Sequence, residues 1–260
     1  MAEYQENSVV QSSERLAEGL YRLTLRAPRI AAGARPGQFV MVACGDSLDP
    51  LLRRPFSIHQ VEAGGTIQLL FKVIGRGSRW LAALTPGQDL SLIGPLGHGF
   101  HLATTGPIAL IGGGIGIAPL SFLAHRWRQS FPAGDCTVLL GGRTGAEIDQ
   151  LAAEFTLLGC QVHIATDDGS RGHHGLVTEL LPPLLHRLTQ VFTCGPFAMM
   201  AAVASLCQGA GVACETSLEA HMACGLGACL GCAVVGADGQ YRHVCKHGPV
   251  FQAEEVAWNR

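Results

Sequence analysis

A chain of 260 residues with 48% hydrophobic and 15% charged side chains has room for two ordinary domains, and 34 glycines point to many tight turns rather than to disorder. A formal net charge of −2 leaves no electrostatic footprint for nucleic acid. The start, MAEYQENSVV, is polar and holds two glutamates where a secretory signal needs a basic and then an apolar stretch, so a cytoplasmic location is expected.

From Gly19 to about Leu102, short apolar runs alternate with turn residues: LYRLTLRAP, GQFVMVAC, RRPFSIHQV, TIQLLFKVIG and GQDLSLIGP. Strands of this length, punctuated by Gly, Pro and Asp, predict a small antiparallel β barrel, with SRWLAAL as its one helix. RRPFSI, Arg53 to Ile58, is expected to close one of these strands, and FKVIGRGS, Phe71 to Ser78, to follow the next. Arg54 has the planar fork that suits a pyrophosphate, Ser57 can hydrogen-bond the edge of a ring system, and Gly77 with Ser78 at a helix start can offer backbone amides to a phosphate. Either motif alone reads more readily as a barrel strand with an exposed arginine and a routine helix cap.

From Pro107 the rhythm changes to strand, glycine turn and helix. PIALIG leads into a helix over Ile117 to Arg128, CTVLLGG into Ala146 to Leu158, CQVHIATDD towards Leu176 to His186, and QVFTCG into Pro196 to Gly209. Strands alternating with helices predict crossover units and a doubly wound parallel sheet, an α/β domain whose ligand sits at the carboxyl ends of the strands. Pro107 to Ala124 and Pro196 to Cys214 carry no charge and approach the length of a membrane span, but IGGGIGIAP breaks the first and SLCQGAG the second, so no membrane helix is expected. In IGGGIGIAPL, Gly113, Gly114 and Gly116, with Gly112 before them, can let a dinucleotide pyrophosphate approach the backbone, though the loop departs from G-x-G-x-x-G and reads as well as a tight strand-to-helix turn. Cys194, Gly195 and Pro196 end a later strand at the same crevice; the alternative for Cys194 is a small buried residue before a helix. Asp167 and Asp168 stand at another strand end, where an acid can bind ribose hydroxyls and disfavour a 2′-phosphate or can simply lie in a solvated turn.

The last forty residues are loop-rich and hold Cys224, Cys229, Cys232 and Cys245, a C-x4-C-x2-C-x12-C spacing. That is the plant-type [2Fe-2S] pattern, with Gly225, Gly227 and Gly231 between ligands where bare backbone can approach inorganic sulfide. A zinc ribbon pairs two C-x2-C knuckles and only Cys229 and Cys232 form one here; a set of ordinary buried thiols is the remaining alternative. His221 or His243 could replace a thiolate in a Rieske-type site, but four cysteines make neither necessary. The other six cysteines, Cys44, Cys136, Cys160, Cys194, Cys207 and Cys214, are scattered and read as small core residues. So little apolar sequence surrounds the clustered thiols that bound metal is expected to supply much of the local order.

The order RPFS, GGGIGIAPL, CGP resembles the ferredoxin reductase superfamily, and SLEAHMACGLGACLGC followed by YRHVCKHGPVF is similar to the electron-transfer subunits of NAD-dependent, type B dihydroorotate dehydrogenases over nearly the whole chain. The resemblance implies a FAD-binding barrel over 1–103, an NAD-binding α/β domain over 104–214 and a [2Fe-2S] subdomain over 215–260. It implies FAD contacts at Arg54, Pro55, Phe56, Ser57, Phe71, Lys72, Val73, Gly77 and Ser78, and a cluster held by Cys224, Cys229, Cys232 and Cys245. Lys72 stands where the family carries arginine, and Ser78 where threonine is common; lysine loses the planar fork. It further implies that electrons leave dihydroorotate at the FMN of a partner subunit, a TIM barrel too long to fit in this chain, and pass through [2Fe-2S] and FAD to NAD+ in pyrimidine synthesis. The expected assembly is a heterotetramer of two pairs with the cysteine-rich region facing the partner, and the alternative is the NAD(P)H-dependent reductase component of another redox complex. No residue of this chain is expected to act as a catalytic acid, base or nucleophile.

Overall fold

A computed structural model describes residues 3–45, 49–102 and 105–259. The expected domain boundary between 103 and 104 lies outside the described residues. Six antiparallel strands close the barrel: β1 (Tyr4–Ala17), β2 (Leu20–Arg26), β3 (Phe39–Val42), β4 (Arg54–Glu62), β5 (Thr66–Lys72) and β6 (Asp89–Leu96), in the order β1-β2-β5-β4-β3-β6 with β1 paired back to β6. Sequence reading began this barrel at Gly19 and missed β1, whose inward positions include Glu6 and Ser8 as well as Val10. Closure leaves no free sheet edge, and Leu23, Leu25, Val40, Ile58, Ile67 and Leu69 fill the interior. Two helices ride on the barrel, α1 (Pro28–Gly33), which sequence reading also missed, and the expected α2 (Arg76–Ala82). RRPFSI does not close its strand: Arg54 begins β4, because the preceding chain turns and Arg53 bonds Ser91 on β6 through its guanidinium at 2.7 Å.

The second layer is a seven-stranded sheet built from β7 (Ile108–Gly113), β8 (Cys136–Gly142), β9 (Gln161–Thr166), β10 (His173–His174), β11 (Gln190–Cys194), β12 (Ala213–Ser217) and β15 (Val250–Gln252). Its order, β10-β9-β8-β7-β11-β12-β15, is parallel throughout except for the edge strand β15, which runs antiparallel to β12. Helices α3 (Ala118–Ser130), α4 (Asp149–Leu157) and α5 (Phe197–Ala210) make the crossovers, α3 and α4 each after a short 3-10 turn. The helix expected over Leu176 to His186 is instead two 3-10 segments, Val177–Leu180 and Pro182–Arg187, because Pro182 and Pro183 each lack an N–H and clash with the preceding turn.

The remaining elements, β13 (Ala233–Val235), β14 (Tyr241–His243) and α6 (Val244–His247), form a small ribbon and one helical turn. This segment has no core of its own. Cys232, Val234, Val244 and Cys245 pack with Phe39, Met41 and Leu96 of the barrel and with Met200 of α5. Neighbouring protein therefore supplies order that sequence reading had assigned largely to metal. Barrel and sheet are likewise continuous, with Leu20, Leu70 and Phe100 sharing a cluster with Ile108, Leu110 and Phe192, and Phe122 of α3 entering the barrel's own core. Among the described residues no helix is long and apolar enough to cross a membrane.

Candidate redox site

Three surfaces meet where the barrel, the sheet and the C-terminal ribbon come together. On the barrel, the backbone from Arg54 to Ser57 is half-buried at the start of β4, and Phe56 meets Phe71 of β5 edge-on at 5.6 Å between centroids. Phe71 points into the barrel core, 2% exposed and stacked on Tyr21, so its side chain sets the wall rather than lining an opening. Among the described residues the Arg54 guanidinium bonds carbonyls of its own turn through Nη1, Leu52 at 2.7 Å and Arg53 at 3.3 Å. Gly77 lies against Cys44 and Arg54, where an added Cβ would stand 3.1 Å from Cys44 Cβ. Ser78 caps the turn, its hydroxyl accepting from the amides of Ile74 at 2.9 Å and Gly75 at 3.0 Å, and burial holds it in that role. This half-buried strand start, with a guanidinium and a close-packed glycine turn beside it, fits a flavin with its pyrophosphate.

A cavity of about 470 Å³ opens at the carboxyl ends of β7, β8, β9 and β11, where a doubly wound sheet binds its ligand. Gly113 and Gly114 line it, as does Pro196. Gly116, Cys194 and Gly195 stand behind that wall: a Cβ on Gly116 would fall 2.4 Å from the carbonyl oxygen of Cys194, so the loop touches the end of β11 backbone to backbone. Cys194 is 2% exposed, and burial first, then the nearby Glu219 carboxylate, push its thiol far above the usual range against a hydrogen bond from Ser217. Asp167 lines the cavity, whereas Asp168 turns to its own loop and accepts from the Ser170 amide at 3.0 Å and hydroxyl at 2.6 Å. Sequence reading missed Arg143, Glu147 and Met199 in this wall, and it did not place Lys72 there. Lys72 leaves the barrel and sets its ammonium 3.2 Å from Glu147, 75 residues further along the chain. Only the packing of barrel against sheet unites the two, so no local motif announces them.

The clustered thiols divide into two pairs. Cys232 and Cys245, both buried, lie 3.2 Å apart, and Cys229 is hydrogen-bonded to Cys224 through its thiol and its amide, the latter at 3.4 Å. Backbone amides converge on the sulfurs: Leu226 N–H on Cys224 at 3.4 Å, Gly227 N–H on Cys245 at 3.1 Å and Cys245 N–H on Cys232 at 3.5 Å. Burial disfavours a thiolate at Cys224, but the amides of Leu226 and Cys229, the Cys229 thiol and the Ala228 amide outweigh it and bring the pKa down to about 6. Burial and the adjacent Cys232 push Cys245 up to about 12. The loop holds this shape by left-handed backbone at Gly225 and Gly227 (φ +72° and +77°) and, among the described non-glycine residues, at Leu230 (φ 60°). A Cβ on Gly225 would strike Met41 of β3 at 2.4 Å, so the loop lies directly on the barrel. Among the described residues no three metal-ligating side chains converge on one point. Two thiol pairs ringed by amides suit two bridged irons better than a single tetrahedral zinc ion. His243 donates its backbone amide to His247 Nδ1 at 2.9 Å and stacks on that ring.

Family models match in three consecutive blocks: an oxidoreductase FAD-binding domain over 8–101, an oxidoreductase NAD-binding domain over 110–205, and the iron-sulfur cluster binding domain of dihydroorotate dehydrogenase B over 219–257. The chain is 42% identical to the dihydroorotate dehydrogenase B (NAD(+)) electron transfer subunit of Desulforamulus reducens, covering 94% of each, and 39% identical to that of Geobacillus thermodenitrificans, covering 96% of this chain and 98% of the relative. It superposes on a solved NADH-dependent reduced ferredoxin-NADP oxidoreductase with a TM-score of 0.85 and 27% identity, over 96% of this chain and 90% of the other.

Proposed function

Because the chain belongs to the family of dihydroorotate dehydrogenase B electron transfer subunits, we propose that it carries electrons released from dihydroorotate on a separate catalytic subunit to NAD+, within pyrimidine synthesis. It is an oxidoreductase subunit whose FAD-, NAD- and iron-sulfur-binding domains follow one another along the chain. NAD+ takes a hydride, two electrons together, whereas an iron-sulfur centre exchanges them singly, and a bound flavin supplies the conversion between the two. The observation that carries the reading is contiguity: the thiol loop lies on β3 of the barrel through Gly225 and Met41, and Lys72 of that barrel lines the nucleotide cavity.

In this reading Cys224, Cys229, Cys232 and Cys245 would hold a [2Fe-2S] cluster, and the amides of Leu226 and Gly227 would offset the charge on sulfur. Arg54 forks onto the flavin pyrophosphate, and Pro55, Phe56 and Ser57 with Phe71 and Val73 shape the ring site, while the Lys72 side chain turns to the nucleotide cavity. The turn at Gly77 and Ser78, packed beside Arg54, offers its backbone to a phosphate. Gly113 and Gly114 receive the NAD pyrophosphate, Pro196 bounds the nicotinamide end, and Gly116, Cys194 and Gly195 fix the loop from behind. The working division of the chain is 1–103, 104–214 and 215–260, although β12 crosses the second boundary. The catalytic partner carries FMN, meets the thiol-bearing face, where Leu226 and Leu230 are exposed, and assembles with this chain as a cytoplasmic heterotetramer of two pairs.

Co-expression with a candidate dihydroorotate-oxidising subunit tests the reading. The purified complex is expected to show flavin and iron-sulfur absorption and to reduce NAD+ when given dihydroorotate. Full cofactor spectra without such coupling would assign the chain to a different redox partner.

A further inference from the structure

Doubly wound sheets read the adenine-side ribose beside the end of the second strand, where an acid favours the free 2′-hydroxyl and an arginine accommodates a 2′-phosphate. In this sheet the second strand is β8, next to β7, and its end carries Gly141, Gly142 and Arg143. Arg143 alone would favour NADP. The structure gives it a competitor. Glu147 Oε1 accepts from Arg143 Nε at 3.1 Å and Nη2 at 2.6 Å, while Glu147 Oε2 accepts from Lys72 at 3.2 Å. The Glu147 side chain is 19% exposed against 75% for Arg143, so the carboxylate is the fixed member and the guanidinium folds onto it.

Arg143, Glu147, Lys72 and Asp167 are the charged residues lining the cavity among the described residues, two cations and two anions. A 2′-phosphate entering here would have to take Arg143 and Lys72 from Glu147 while adding charge beside Asp167. A 2′-hydroxyl faces neither cost, and it can donate to Glu147 as it stands. We infer that Glu147 sets the preference for NAD over NADP, by sequestering the two cations that would otherwise receive the phosphate. This rests on the reading of the cavity as the nicotinamide nucleotide site.

The test compares kcat/KM for NADH and NADPH in dye reduction by the intact complex. Glu147→Gln keeps the size of the side chain but releases both cations, and it should raise the NADPH to NADH ratio about tenfold, the effect of one charge-assisted contact discounted for exposure. Glu147→Asp should stay near the wild-type ratio, and Arg143→Ala added to Glu147→Gln should remove the share of the gain that Arg143 supplies, leaving that of Lys72. An unchanged ratio in Glu147→Gln with NADH turnover retained overturns the inference. Should that variant lose its flavin, Arg143→Ala alone decides: a sequestered arginine predicts a change in the ratio below about twofold, and a selective collapse of NADPH use means that Arg143 was never held back. A wild-type complex that oxidises neither nucleotide would sink the cavity reading itself, which separates the two failures.

Discussion

Lys72 shows how one side chain acquires a meaning its motif does not contain. FKV places it after a buried aromatic on a barrel strand, and its partner Glu147 comes from the other layer. Burial raises the Glu147 carboxyl, but hydrogen bonds and charge from Arg143 and Lys72 overcome this and hold it below the usual carboxylate range. A depressed carboxyl contributes stability above its unfolded pKa and loses it as pH falls through the folded value, so the link should weaken below about pH 4. Thermal unfolding of wild type and Lys72→Met should therefore differ near pH 7 and converge as the pH approaches that range. The cysteine pattern was legible because four thiols fall within 22 positions, three in one loop and the fourth in α6, whereas the Lys72–Glu147 pair was not, because only tertiary packing creates it. Cys232→Ser removes a thiol from the buried pair. It should erase the iron-sulfur absorption and dihydroorotate-dependent NAD+ reduction while NADH-driven dye reduction persists, as recorded by visible spectra and the two assays side by side.

Among the elements, periodicity revealed those whose inward face is apolar and hid those whose inward face is mixed. β5 and β7 are apolar runs between turn residues and were found, while β1 buries Glu6, whose carboxylate accepts from the amides of Arg29 and Ile30 at 3.1 and 3.0 Å and so anchors the start of α1. An acid with that task reads as surface in a sequence, which concealed both β1 and α1. The failed helix after β9 has the opposite cause: apolar spacing was adequate but paired prolines forbid the hydrogen bonds. The turn between β7 and α3 is the most constrained of the expected features, because Gly116 sits under the end of β11 with no space for a methyl group. Gly116→Ala should lower stability by about 2–3 kcal/mol, the usual range for overpacking against backbone, and calorimetry should show a fall of several degrees in Tm.

For the molecule as a whole, the seam between barrel and sheet is held by charge as well as by the shared core. Glu154 of α4 takes Arg22 from β2 as an ion-pair partner and lies 3.3 Å from His59 Nε2 of β4, while His59 Nδ1 faces the Ala118 carbonyl at 2.9 Å. Burial works against the Glu154 carboxylate, but His59 and Arg22 more than offset it and keep its pKa low. The same sign applies: the contribution is full above the ordinary carboxylate range and fades as acid protonates the group. Glu154→Gln should cost about 2 kcal/mol at neutral pH, because Arg22 and His59 are left facing an uncharged group, and the deficit should shrink in acid unfolding titrations. The three-part order of the chain was readable from motif succession, yet the way its parts interlock was not, since Arg22, His59 and Glu154 stand in segments with no shared pattern.

The cysteine ribbon's dependence on Met41, Leu96 and Met200 has a consequence for biogenesis. Met41, Leu96 and Met200 all precede the ribbon in the chain, so the platform beneath it is synthesised first and can fold first. A chain stripped of iron should therefore keep its barrel and its yellow colour, which visible spectra of chelator-treated protein would show.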